Sequence, residues 1–443
     1  MTVPVAPPDP EVSAPQVSSP DGEPTTSGSF LRRLEIDPRL FGMIIALVVI
    51  WVVMHVLTGG TFLTPRNLWN LSVQTSVVGI MATGMVLIIV SRNIDLSVGS
   101  MLAAIGMAMA ILQVEWLPQW LGLENSWTWL ITLLAGLVLG AIIGGFQGSI
   151  VAYVGVPAFI VTLGGLLVWR GVAWAMASGR TIAPMDSNFS RLGGGGIDGS
   201  IGGTLTWLLA GVACAGIVVL LVNGRRRKRR YGFTQRPVWA DVVLGLLECG
   251  AVLGAAFVIN SYFMPPPLAR EYVESQGEKY TPGMEIPFGL PIPVVIMLGV
   301  GLLMTFLATR TRFGRYVFAI GGNPEAAELG GVKSKWMIVQ TFALMGMLVA
   351  VASAVQIART DAATSGLGTL AELYTIAAAV IGGTSLAGGI GTIPGALLGA
   401  LVAQSLQSGM VLLNIDAPLQ QIVVGIVLVV AVALDSFYRR RVG

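Results

Sequence analysis

The sequence predicts an all-α polytopic membrane protein of about twelve transmembrane helices, with cytoplasmic N- and C-termini. Three observations carry this. First, the 443 residues are 54% hydrophobic and only 11% charged, with a mean hydropathy of +0.78. A soluble domain of that length would need a more charged surface. Second, apolar runs long enough to span a bilayer recur from about residue 40 to residue 438. Third, when these runs are threaded in and out of the membrane, the strongest basic clusters all fall on one side, as the positive-inside rule requires.

The elements follow in order. Residues 1–30 are rich in Pro, Ser, Thr, Gly and Asp without an apolar run, so 1–35 reads as a disordered cytoplasmic tail. No apolar stretch lies near Met1, so a cleavable signal is not expected. Arg32, Arg33 and Arg39 precede the first span and place it to leave the cytoplasm. The predicted spans are 40–57, 71–91, 96–114, 127–150, 157–177, 204–222, 238–260, 291–309, 337–357, 371–387, 393–413 and 419–438. RRRKRR at 225–230 follows the sixth, Arg310, Arg312 and Arg315 follow the eighth, and RRR at 439–441 follows the twelfth. The basic-poor stretches 178–204 and 261–290 come out external. The 57 glycines suit close helix packing. The pairs 71–114 and 371–413 look alike: helix, short Gly/Ser break, helix, as an internal duplication would give.

Cys214 and Cys249 lie in apolar runs without metal spacing, and the one histidine, His55, cannot build a His-rich zinc site. A net charge of +3 gives no ground for a nucleic-acid partner. No GxxxxGK[ST], GxSxG, CxxC or HExxH occurs, so neither ATP hydrolysis nor other catalysis is expected of this chain.

Four motifs stand out. The loop 310–336 carries Arg312, Gly314 and Arg315, then Asn323-Pro324-Glu325-Ala326-Ala327 and Gly331. Pro and Glu suit a helix start, Ala326 and Ala327 would form a narrow face, and Gly331 can end the helix. In Asn93-Ile-Asp95-Leu-Ser97-Val-Gly-Ser100, Asp95 either caps the following helix or serves a gate or substrate path. Arg170 lies in the outer half of the fifth span, paired with Glu372, Asp361 or main-chain carbonyls, or lining a pore. Glu248 in the seventh span poses the same problem. Gln404, Gln407 and Ser408 share a helix face that lines a wet path or bonds to a neighbouring helix.

These motifs, with Pro157-Ala-Phe-Ile-Val-Thr-Leu-Gly164, Gly382-Gly-Thr-Ser-Leu-Ala-Gly-Gly389 and Asp435, resemble the monosaccharide permeases of the ribose/xylose/arabinose class of bacterial ABC importers. Asn67-Leu-Trp-Asn-Leu-Ser-Val-Gln-Thr75, Gln404-Ser-Leu-Gln-Ser-Gly-Met-Val411 and the block 204–260 make the D-xylose members the most similar. The resemblance implies a core of about ten helices in two halves, 36–203 and 291–443, with an inserted pair at 204–260 and an external loop at 261–290. It implies a homodimer in the bacterial inner membrane, a cytoplasmic sugar-class ATPase that uses ATP and Mg, and a periplasmic or lipid-anchored sugar-binding protein. The loop 310–336 would be the ATPase coupling loop, and the cargo a monosaccharide, D-xylose first, with ribose, arabinose or galactose as alternatives. A proton-coupled symporter is the rival class. Its expected chain of ionisable residues within the spans is missing, and it would leave the 310–336 loop unexplained.

Overall fold

A computed structural model describes residues 38–122, 125–233 and 236–442, so the tail 1–35 lies outside the described residues. The described residues are mostly helical, with isolated β-bridges between loops. The main helices are α1 Pro38–Leu57, α2 Pro65–Val90, α3 Val98–Ile111, α4 Thr128–Ser149 and α5 Ala158–Ala177. Then come α6 Gly202–Arg230, α7 Val238–Asn260, α8 Pro266–Ser275, α9 Ile292–Arg310 and α10 Arg312–Gly322. The last are α11 Pro324–Leu329, α12 Ser334–Thr360, α13 Ala371–Ile381, α14 Ile393–Leu412 and α15 Ala417–Val442.

Among the described residues, ten helices are long and apolar enough to cross a membrane. They correspond to ten of the twelve predicted spans. The other two are shorter apolar helical stretches, Ala371–Ile381 and Ala417–Val427. The predicted span 371–387 is cut short because the chain turns at Gly383, whose φ of +85° is open to glycine but strained for other residues. Eleven residues of helix rise about 16 Å, half of a bilayer core of about 30 Å.

The sequence dictates which helices sit inside. From Val77 to Val90 α2 is apolar on every side but for Thr83, and from Thr75 to Val90 it is wholly buried, packed by α9, α12, α13 and α14. α12 is the second central helix and packs most extensively on α4. That contact is made by glycine: Gly140, Gly144 and Gly148 recur every fourth residue and meet Gly346, Phe342 and Val339 so closely that a Cβ on any of the three would collide. In a bilayer, where the solvent is as apolar as leucine, such close approach drives association. The outer faces of α1, α4, α5, α6 and α7 expose Val, Leu, Ile and Phe, as lipid-facing surfaces do.

The pair α6–α7 forms a hairpin at the edge of the core. Its helices pack on each other, with Cys214 and Cys249 facing across at 3.9 Å from sulfur to the opposite carbonyl, and Arg225 ion-paired with Asp241. α7 touches α2. Glu248 lies exposed on α7. Beyond α7, the stretch expected as an external loop contains α8, whose Ala269 and Val273 are buried. Ala269 joins a cluster around Trp69 of α2, whose ring lies tilted against Tyr262 and Phe288 at 5.6 and 5.4 Å and donates its indole N–H to the Gly289 carbonyl.

Candidate functional site

Two regions gather the polar residues. The first is the loop 310–336. Thr311 accepts a bond from the Gly314 amide and starts α10, and Gly314 packs against the carbonyls of Leu307 and Ala308, where a Cβ would not fit. α10 is amphipathic: Val317 and Ile320 are buried, while Arg312, Arg315 and Tyr316 are exposed. Asn323 Oδ1 accepts the Ala326 amide at 3.0 Å, Pro324 stands at the first helical position, and Glu325 lies in the first turn of α11. The helix ends in a Schellman turn: Val332 N–H bonds to Ala327 O at 3.0 Å and Gly331 N–H to Glu328 O at 2.9 Å, with Gly331 at φ +81°. Glu325, Ala326 and Glu328 face outward, and Leu329 is 91% exposed. Ala327 packs inward, so Ala326 and Ala327 do not share the outer face.

Directly above lie the two helix breaks. In the first, Asn93 donates to Ser91 O at 2.9 Å, and Asp95 Oδ1 accepts from Ser97 N–H at 2.9 Å and from the Ser97 hydroxyl at 2.6 Å. Asp95 therefore holds the turn that opens α3. Gln147 Oε1 of α4 lies 3.0 Å from the Ser97 hydroxyl, and Thr162 of α5 lies 3.2 Å from Ile94 O. Burial pushes the Asp95 carboxyl above the usual carboxylate range, opposed by the two Ser97 bonds. Its Oδ2 and the Gln147 Nε2 are both buried without a partner. The second break, 382–392, touches the first where Gly389 N–H bonds to Val90 O at 3.0 Å.

The second region is a cavity of about 320 Å³ near the other end of α2. Gln74 of α2, Gln356 and Arg359 of α12, Thr369, Tyr374 of α13, and Gln404 and Gln407 of α14 line it. Gln404 is 6% exposed, and its Oε1 has no partner. Ser408 does not line the cavity; its hydroxyl lies 3.4 Å from Asn67 Oδ1. Arg170 stands behind one wall, donating from Nη1 to Ser365 O at 2.9 Å and Leu367 O at 2.6 Å. Main-chain carbonyls are thus its bonded partners. Asp361 instead accepts from Met185 N–H and Ser190 Oγ. Between Val78 and the first break run about 18 Å of α2 in which every residue is buried.

Gln74, Gln356, Arg359, Tyr374 and Gln147 were not singled out in the sequence. Gln356 and Arg359 stand three apart on α12, and only the packing brings them to Gln74 and Tyr374; Gln147 sits apart, at the first break. Among the described residues, no three His, Cys, Asp or Glu side chains are grouped to hold a metal ion.

A core of membrane-length helices with a polar cavity at one end of its central helix and a capped, exposed helix beyond the other is the architecture of a multi-pass membrane protein. Residues 67–432 match the family described as "Branched-chain amino acid transport system / permease component", and the chain belongs to it. It is 36% identical over 416 residues to the xylose transport system permease protein of Escherichia coli, covering 94% of this chain and 96% of the relative. It is 36% identical to the protein of the same name from Haemophilus influenzae, covering 92% and 98%. To the ribose import permease protein of Escherichia coli it is 32% identical, covering 89% and 92%. No solved structure matches the chain. The chain is thus a permease subunit of a transport system, in one family with xylose and ribose permeases.

Proposed function

We propose that this chain is the membrane subunit of an importer that moves D-xylose inward by alternating access, driven by a separate cytoplasmic ATPase. The observation that carries it is the cavity lined by Gln74, Gln356, Gln404, Gln407, Thr369 and Tyr374. The amides and hydroxyls match the donors and acceptors of a sugar; Arg359 is the one charged side chain in the lining, and no acid stands there to pair an ammonium. The names of the most similar relatives favour xylose over ribose.

In this reading the chain makes twelve crossings of the bacterial inner membrane, with both termini in the cytoplasm; α15 supplies one of the two remaining crossings, and the half-length α13 continued by the break 382–392 supplies the other. Two copies pair, a sugar-binding protein delivers cargo outside, and the exposed face of α11 with Arg312 and Arg315 docks the ATPase. ATP and Mg act on that partner. Gln404 and Gln407 contact the sugar, Arg170 holds the wall formed by 365–367, and Asn93, Asp95 and Ser97 shape the inner gate.

The test is uptake of labelled D-xylose into vesicles holding this chain, its ATPase and its binding protein, with and without internal ATP. ATP-dependent uptake blocked only by xylose is expected. Better block by ribose, arabinose or galactose changes the cargo and keeps the importer. Uptake that ignores ATP and follows a proton gradient overturns it.

A further inference from the structure

Arg92 lies in the first helix break, and its backbone has φ +63°, a left-handed conformation uncommon for a side chain of this size. Such strain persists only where surrounding contacts hold it. Here the contacts are specific. Arg92 Nε donates to Gly321 O at 2.8 Å, and Nη2 donates to Gly322 O at 2.9 Å. Those carbonyls are at the C-terminal end of α10, where unpaired oxygens and the helix dipole favour a cation. The next residue, Asn323, is the cap of α11.

The neighbours leave little freedom. A Cβ on Gly321 would collide with Val90 O, and one on Gly388 would lie 2.5 Å from Arg92 Cγ. Gly389 N–H also bonds to Val90 O. One guanidinium therefore bridges the end of α10, and hence the cap of α11, to the point where the two helix breaks meet. The geometry points to Arg92 as the strut that passes displacement of α11 to both breaks, a positioning residue for coupling. This rests on the transport reading above. A planar two-pronged donor suits the task better than a lysine, which offers a single rotating head.

The test compares R92G and R92K with the unaltered chain in vesicles with the ATPase and binding protein. R92G removes the side chain and relaxes the left-handed backbone, so loss cannot come from added strain. Sugar moved per ATP hydrolysed should fall about tenfold in R92G, within the usual range of coupling between sites. R92K should fall between. Co-purification with the ATPase and the thermal midpoint should hold, which a merely structural role would not allow. If R92G does not assemble, R92K decides. Equal ratios in all chains that assemble overturn the strut and leave the transport reading intact. No ATP-dependent uptake in the unaltered chain overturns the transport reading first.

Discussion

The carbonyl oxygen of Gly346 occupies the space that a Cβ on Gly140 would need, and the Gly140 carbonyl does the same to Gly346. α4 and α12 thus meet backbone to backbone, the closest contact two helices can make.

From this contact, G140V or G346V should lower stability by about 1–3 kcal/mol, the usual cost of overpacking. A drop in unfolding temperature of the detergent-purified chain checks it. G171A is the control, since no atom lies within 4 Å of the added methyl, and it should be neutral.

At α11, L329D should weaken ATPase docking, because a 91%-exposed leucine would meet its partner by apolar contact. E325A and G331A should reduce uptake and sugar-stimulated hydrolysis together while the chain still reaches the membrane. The alanine at 331 must adopt φ +81°, a strain of about 1 kcal/mol or more. Normal coupling in all three would remove the loop from the mechanism.

In the cavity, Q404L should raise the KM for sugar about tenfold, the value of one lost hydrogen bond of about 1.4 kcal/mol. Its effect on stability should be neutral or favourable, since the Oε1 it removes has no partner. Uptake kinetics and thermal unfolding on the same preparation separate the two effects.

Asp95 predicts a pH dependence. Its pKa in the folded chain is raised above the usual value near 4 by burial. A raised pKa contributes stability that is fully present below the unfolded value and lost as pH rises through the folded one. D95N keeps the shape and removes the titration. It should therefore gain on the unaltered chain as pH rises from about 4 toward neutral. Parallel unfolding curves with pH would refute this.

Much of the fold could be read before the structure. Among the described residues ten apolar runs are helices long and apolar enough to cross a membrane, and Asn323-Pro324 and Gly331 signal a helix start and stop that the backbone adopts. α8 also has a signal in its Pro265-Pro266 start and its apolar pairs at 268, 269, 272 and 273, weakened by the polar stretch around it. The cavity was only half readable. Gln404 and Gln407 share one helix, whereas Gln74, Gln356 and Tyr374 converge from three others across long separations. Arg92 was hidden for the same reason: its partners lie 229 and 230 residues away.

The buried length of α2 between the cavity and the breaks has an electrical consequence. From residue 80 to 90 it carries no charge, and its one hydroxyl, on Thr83, is spent on Ile80 O at 2.7 Å. The side chains of this stretch offer an ion no free polar group. A voltage of 100 mV does work of about 2.3 kcal/mol on each charge that crosses. A bacterium that keeps many such proteins in its energised membrane depends on each one insulating while it waits for cargo. The same oily stretch that makes α2 the centre of the fold raises the cost of moving a charge along it.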